Sequence, residues 1–465
     1  MRAERCGIGN AATITVFAIA IAGCDLDNPG VPLPAATLNF PIALAVVDGA
    51  PETNDDDYLL VVSSNFDVRY ASGSVQSWRL AELQTAIDDA VAGVDDLGVD
   101  CGEDGRPACE IQIEERPEVF LQDEVRIPSH ADGIAVGPSE DRIYLPVRSG
   151  RGGLTWIDLA DGLFGCGEGD ACDDLHNTVA VAPVSRELSL PTDPVALAVV
   201  PRDLVGGGDA DAIVIAHRNG SGSLLLDDLR GQPTLFDVID GLPTDVVSAE
   251  MDPESGAVWL TSAPPSSRPT RDLVAVAPIV SDVDTRLAVV NRITLAGLDD
   301  GGTGSDTRDI AFDVGVDRAW VLARRPEAVI TVDFRVPPVA PNLAPLGEIF
   351  AVASGPSRLE RVVVPFDPDG DEGPIPARER TYLLASCYDA NNVSVIDPEL
   401  GLIATVAGLA GPFEMAYDAT RELLFVINFR NNTIGVVDLS PLRTGASPRL
   451  IAYLGDPDAP SPFSG

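Results

Sequence analysis

Pro412-Phe413-Glu414-Met415-Ala416-Tyr417-Asp418, a turn, Leu423-Leu424-Phe425-Val426-Ile427-Asn428, a second turn, and Thr433-Ile434-Gly435-Val436-Val437-Asp438-Leu439 spell one supersecondary unit. Three short apolar strands joined by tight turns cannot bury both of their faces alone, so the unit implies stacked copies of itself. Followed back towards the N-terminus, it recurs about seven times. Inner strands are expected at Pro41–Val47, Gly133–Gly137, Val195–Val200, Val246–Met251, Asp309–Val314, Leu359–Phe366 and Phe413–Asp418. A more variable fourth strand follows each third one, for instance Val119–Ile127, Val179–Leu190 and Arg449–Leu454.

Four antiparallel strands repeated about seven times predict an all-β, seven-bladed β-propeller over residues 37–456. Residues 81–118, 160–178 and 367–380 break the period and are expected as insertions, with 457–465 a disordered tail. In the first insertion, Ala81–Val91 carries apolar residues at 83, 86, 87 and 90, which is helical spacing. Ring closure is open: Ala35–Asn39 could add an outer strand to the last blade, or Arg449–Leu454 could complete it. Leu423–Leu439, Tyr382–Pro398 and Ala319–Phe334 resemble the YVTN repeat of bacterial surface-layer and periplasmic propellers. That resemblance implies a seven-bladed ring and no particular activity, because this scaffold serves unrelated chemistries.

The N-terminus speaks to location. Arg2 and Arg5 precede an apolar run, Ala11 to Ala22, too short to span a bilayer. Residues 1–23 read as a signal peptide. The run ends in Ile21-Ala22-Gly23-Cys24, which resembles the lipobox of bacterial lipoproteins. That resemblance implies lipid on Cys24, a tether over 24–36, and a membrane-anchored, periplasmic or surface-exposed protein of the cell envelope. The 465 residues carry a net charge of -41, and all the basic residues besides histidine are arginine. So acidic a chain repels nucleic acid, and without lysine it has no Schiff-base or lysine-base chemistry.

A meander places alternate turns on opposite ends of the ring. One end is expected to gather His130, Asp193, His217, Arg218, Asp245, Arg324, Asn391, Glu414 and Arg430 around the channel mouth. Its arginines could bind an anionic ligand bidentately or pair with acids on adjacent blades. The other end takes the large insertions. Cys101/Cys109 and Cys166/Cys172 each bracket a small polar loop and are expected as local disulfides, with Cys387 a buried filler. Asp367, Asp369 and Asp371 alternate as in calcium loops but lack the distal glutamate, so they offer a calcium site or a plain acidic turn. No other cofactor is indicated, and only three histidines occur. The best-supported role is a binding or interaction scaffold for an envelope protein, small molecule or glycan. The alternative resembles propeller lactonases and hydrolases that use channel carboxylates with a divalent ion, for which Asp193, Asp245 and Glu414 are the candidates.

Overall fold

A computed structural model describes residues 31, 33–48, 57–92, 99–100, 108–149, 153–184, 186–206, 209–263, 273–281, 284–295, 306–333, 346–366 and 378–458. The expected signal segment, Cys24, Cys101 and the loop bearing Asp367, Asp369 and Asp371 lie outside these residues. Pro412–Asp418, Leu423–Asn428, Thr433–Asp438 and Arg449–Leu454 pair in succession, all antiparallel. Six further sheets precede this one along the chain, each built on four antiparallel strands in sequence order. The protein is a seven-bladed β-propeller, and its core lies in the seams between blades. Middle strands such as Tyr58–Ser63 and Leu423–Asn428 are buried at every residue, because each packs against a neighbour on both faces. That is why they read as continuous apolar runs and not as alternating ones.

Each inner strand is approached by the same backbone device. The residue just before it has a left-handed φ in six blades: Phe40, His130, Asp193, Asp245, Gly355 and Gly411. Its carbonyl then accepts the N–H of a residue just past the second strand: Ser64, Arg148, Arg218, Ala263, Tyr388 and Phe429, at 2.9–3.2 Å. Left-handed backbone favours Gly, Asn, Asp and His, which explains five of the six residues found there, all but Phe40.

Blade 2 departs from expectation. Its fourth strand is Leu163–Gly165, inside the segment expected as an insertion. The Asp161-Gly162 turn, with φ positive at both residues, folds the chain straight back onto Leu154–Ala160. Of the expected Val179–Leu190 strand, only Ala180–Val181 is extended, and it adds parallel to the outer strand of blade 3, Thr234–Asp240. Ring closure also takes a third route. Arg449–Leu454 completes blade 7, and the blade 1 insertion then reaches across to it. Cys109–Ile111 pairs parallel with Arg449–Leu454, and Val99–Asp100 pairs with Cys109–Ile111. The inserted helix, Leu80–Ala92, buries Leu80, Leu83, Ala86 and Ile87 in the cluster that joins blades 1 and 7. Residues 35–39 form no strand; Leu38 and Phe40 instead donate their N–H groups to Glu114 and Asn432.

Ionic struts cross several seams. Arg142 of blade 2 reaches Asp227 of blade 3 at 2.8 Å and Asp158 of its own blade at 2.6 Å, and lies 4.3 Å over the Trp156 ring. Arg421 of blade 7 reaches Asp57 at the start of blade 1 at 2.7 Å.

Candidate functional site

The nine residues expected at the channel mouth take up three kinds of position. His130, Asp193 and Asp245 are left-handed lead-in residues, and their recurrence has the backbone cause given above. His130 lies 5.8 Å from the Phe66 ring, and burial with the Arg148 charge lowers its pKa. His217 is fully buried on Ser223 (2.8 Å), and burial pushes its imidazole down to about 4, so it is neutral at physiological pH. The arginines have carboxylates of their own. Arg148 donates to Asp132 at 2.6 Å, Arg218 lies 4.0 Å from Asp193, and Arg324 donates to Asp389 at 2.8 Å. Arg430 stacks 4.6 Å over Tyr388, donates to Asn391 at 2.9 Å and lies 3.9 Å from Asp389. Asn391 also accepts the N–H of Gly411 at 2.9 Å, so this turn of blade 6 ties blades 5 and 7 together.

Among the described residues, two cavities of about 120 and about 260 Å³ lie on the axial channel, and of the nine only Glu414 lines them. The smaller is lined by the inner strands of six blades, whose Ala43, Gly133, Ala196 and Ala249 leave room along the axis. Both share Glu250 and Glu414, and the larger adds Asp309 and Glu360. These four carboxylates meet two guanidinia: Arg358, which lines the smaller cavity, and Arg361, which lines the larger and lies 4.0 Å from Asp313. Arg358 donates from Nε to Glu414 at 2.8 Å and lies 4.9 Å over the Phe413 ring. Its backbone N–H donates to Ser386 Oγ, while Asp309 accepts the N–H groups of Leu359 and Ile310, so blades 5, 6 and 7 fix one another here.

Electrostatics in the channel follow from enclosure and like charge. Burial, then Asp309 and Glu414, push the Glu250 carboxyl well above the usual carboxylate range. Glu250 keeps accessible surface because it faces the channel, so water reaches it even though protein surrounds it. Burial raises Asp309 to about 6 despite Arg358, and burial with Glu414 and Asp309 raises Glu360 to about 8. Burial opposes the charge on Arg358, yet Glu414 and Asp309 hold its pKa up. The cluster can therefore exchange protons near neutral pH, or ionise further if another cation enters. Among the described residues, no three His, Cys, Asp or Glu side chains converge to hold a metal ion.

Glu250, Asp309, Arg358 and Glu360 were not among the nine. The available signal was alternation: Ser248-x-Glu250 and Arg358-x-Glu360 put polar groups on one face of otherwise apolar inner strands.

At the opposite end, Cys166 and Cys172 form a disulfide with Cα atoms 4.7 Å apart. Its loop docks on blade 1, where Arg126 and Cys172 exchange backbone contacts with Asp170 and Arg126 at 2.9 and 3.0 Å. His176 is held by Asp173 at 2.7 Å and stacks 4.1 Å from the Trp156 ring. Cys109 is also disulfide-bonded. Cys387 is a buried free thiol whose pKa burial raises.

No protein-family model and no curated relative matches the chain. Solved structures do match in fold. A putative 6-phosphogluconolactonase from Bacteroides fragilis is 12% identical at a TM-score of 0.50, over 87% of this chain and 99% of that one. Kuenenia stuttgartiensis hydrazine synthase is 11% identical at 0.49, over 86% and 95%. The β-propeller domain of Myceliophteria thermophila Cps50 (Swd1) is 11% identical at 0.46, over 85% and 96%. At such identities the likeness is one of fold alone.

Proposed function

We propose that the protein is a lipid-anchored, YVTN-type propeller of the bacterial cell envelope that acts as a binding module and recognises a small organic cation in its axial channel. The observation that carries this reading is the surplus of acid there: four carboxylates line the two cavities against two guanidinia, Arg358, which donates to Glu414, and Arg361, which lies beside Asp313. Without a ligand, the surplus is relieved by protons on Glu250, Asp309 and Glu360. An ammonium group entering the channel replaces those protons, so binding releases them and tightens as pH rises. The narrow, alanine- and glycine-lined axis suits a linear amine. Anchoring rests on the lipobox-like Ile21-Ala22-Gly23-Cys24, and loss of palmitate labelling in Cys24→Ala tests it.

Calorimetry with 1,4-diaminobutane tests the channel. The wild type should bind it with proton release at pH 8, and Glu250→Gln should bind at least about tenfold more weakly, the equivalent of one charge-assisted contact. Equal affinity in the two proteins removes the reading.

A second reading, a propeller-type hydrolase, is favoured by one observation: Glu360, raised to about 8, shares a cavity with Glu414, which is the juxtaposition general acid–base chemistry requires. Of the carboxylates first considered for it, Asp193 and Asp245 do not line the channel cavities. Lactone or ester turnover that disappears in Glu360→Gln would establish it over simple binding.

A further inference from the structure

Neighbouring blades must fill the seam between them, and several bring large side chains or ion pairs to one level of it. The second- and third-strand pair at that level is Arg142 and Asp158 in blade 2, Arg318 and Asp333 in blade 5, and Leu423 and Asp438 in blade 7. In blade 4, one step beyond the Val258–Val276 pair, it is Ala257 and Ala277, with Ala275 opposite Trp259. The seam between blades 4 and 5 consequently holds a cavity of about 410 Å³. Trp259 and Phe312 line it, and Val290, the bulged residue of the outer strand, forms an exposed wall. Its rim carries Asp252, Glu254, Asp313 and Asp317 against Arg318. Arg318 is already committed to Asp313 (3.0 Å) and to the Trp320 ring (5.1 Å). Glu254 accepts the N–H of Gly315 at 2.5 Å, so blades 4 and 5 hold the rim in place before any ligand arrives.

We propose that this seam cavity is a ligand site separate from the channel, for an amphipathic amine. The apolar body packs on Trp259, Phe312 and the three alanines, and the ammonium meets the acidic rim beside Glu254 and Asp317. An aromatic wall with carboxylates at one edge selects such a molecule over a purely apolar or an anionic one. The site meets the larger channel cavity only at Phe312, and none of the four channel carboxylates lines it.

Benzylamine, with benzyl alcohol as its neutral counterpart, probes the site by ligand-observed NMR. The wild type should bind benzylamine about tenfold more tightly than benzyl alcohol, one charge-assisted contact's worth. Ala277→Leu should abolish binding while leaving the melting temperature equal or higher, since it fills a void. Should that variant fold poorly, Ala257→Val provides a smaller filling with the same expectation. Glu250→Gln, in the channel, should bind benzylamine as the wild type does. Unchanged binding in a well-folded Ala277→Leu or Ala257→Val, loss in Glu250→Gln, or no binding by the wild type would each overturn the proposal.

Discussion

The mouth and the channel handle charge in opposite ways. At the mouth, Arg148, Arg218 and Arg324 each face a carboxylate, and Arg430 faces Asn391 and Asp389. Several of these pairs are open to water. In the channel, Glu250, Asp309, Glu360 and Glu414 compete for Arg358, and protein encloses them. Paired surface charge mainly positions turns and contributes little stability. Unbalanced enclosed charge is sensitive to pH, to substitution and to any cation that can enter.

Arg358→Met should produce the largest effect. Removing this cation leaves the four carboxylates with Arg361 alone, at a cost of about 3–5 kcal/mol at pH 8 and clearly less at pH 5, where Glu250, Asp309 and Glu360 hold protons. Urea unfolding at the two pH values measures this, and a cost independent of pH would break the contrast. Next, Gly411→Ala at a lead-in position should cost about 1–3 kcal/mol. Its φ of +62° is left-handed, and a Cβ there would lie 2.7 Å from Arg430 Cγ and 2.9 Å from the Tyr388 ring. Asp193→Gly, at the equivalent point of blade 3, should be neutral or slightly stabilising by the same measurement, since relief of the left-handed backbone offsets loss of the exposed 4.0 Å pair with Arg218.

Glu360→Gln comes third and depends on pH. Glu360 and Asp309 titrate at about 8 and about 6 in the folded chain, above the usual carboxylate range near 4 in the unfolded one. The folded state thus holds more protons between about pH 4 and about pH 8, and stability falls as pH rises through that window. Glu360→Gln should flatten the fall and gain about 1–2 kcal/mol at pH 8, less than an unscreened shift would give because channel water reaches the group. At pH 4 it should be neutral. Arg324→Met, which breaks the mouth pair with Asp389, should cost under about 1 kcal/mol at either pH. A cost as large as that of Arg358→Met would erase the distinction between the two regions.

The seven blades were legible because strands and turns are local: the Leu423–Leu439 unit needs no distant residue to be recognised. The strands that join one blade to another were less legible. Cys109–Ile111 pairs with Arg449–Leu454 across the whole chain, and no local pattern announces a parallel addition of three residues. Blade 2's fourth strand was hidden by its shortness, although its Asp161-Gly162 turn was there to be read. At the site, the recurrent lead-in residues drew attention because recurrence looks like purpose. Their cause is a left-handed backbone repeated with each blade. The channel carboxylates come from four different blades and only ring closure brings them together, although Glu250 and Glu360 share one repeat position, five residues after Asp245 and Gly355. Their trace in sequence was a polar residue repeated at every second position of an inner strand, as in Arg358-x-Glu360.

The central claim is that a cation displaces protons from the channel carboxylates. Its most direct test is the number of protons released when 1,4-diaminobutane binds, measured calorimetrically in buffers of different ionisation enthalpy between pH 6 and pH 9. The account predicts release that is greatest near neutral pH, disappears towards pH 9 and is reduced in Glu360→Gln. Binding without proton release, or equal release in wild type and Glu360→Gln, would contradict it.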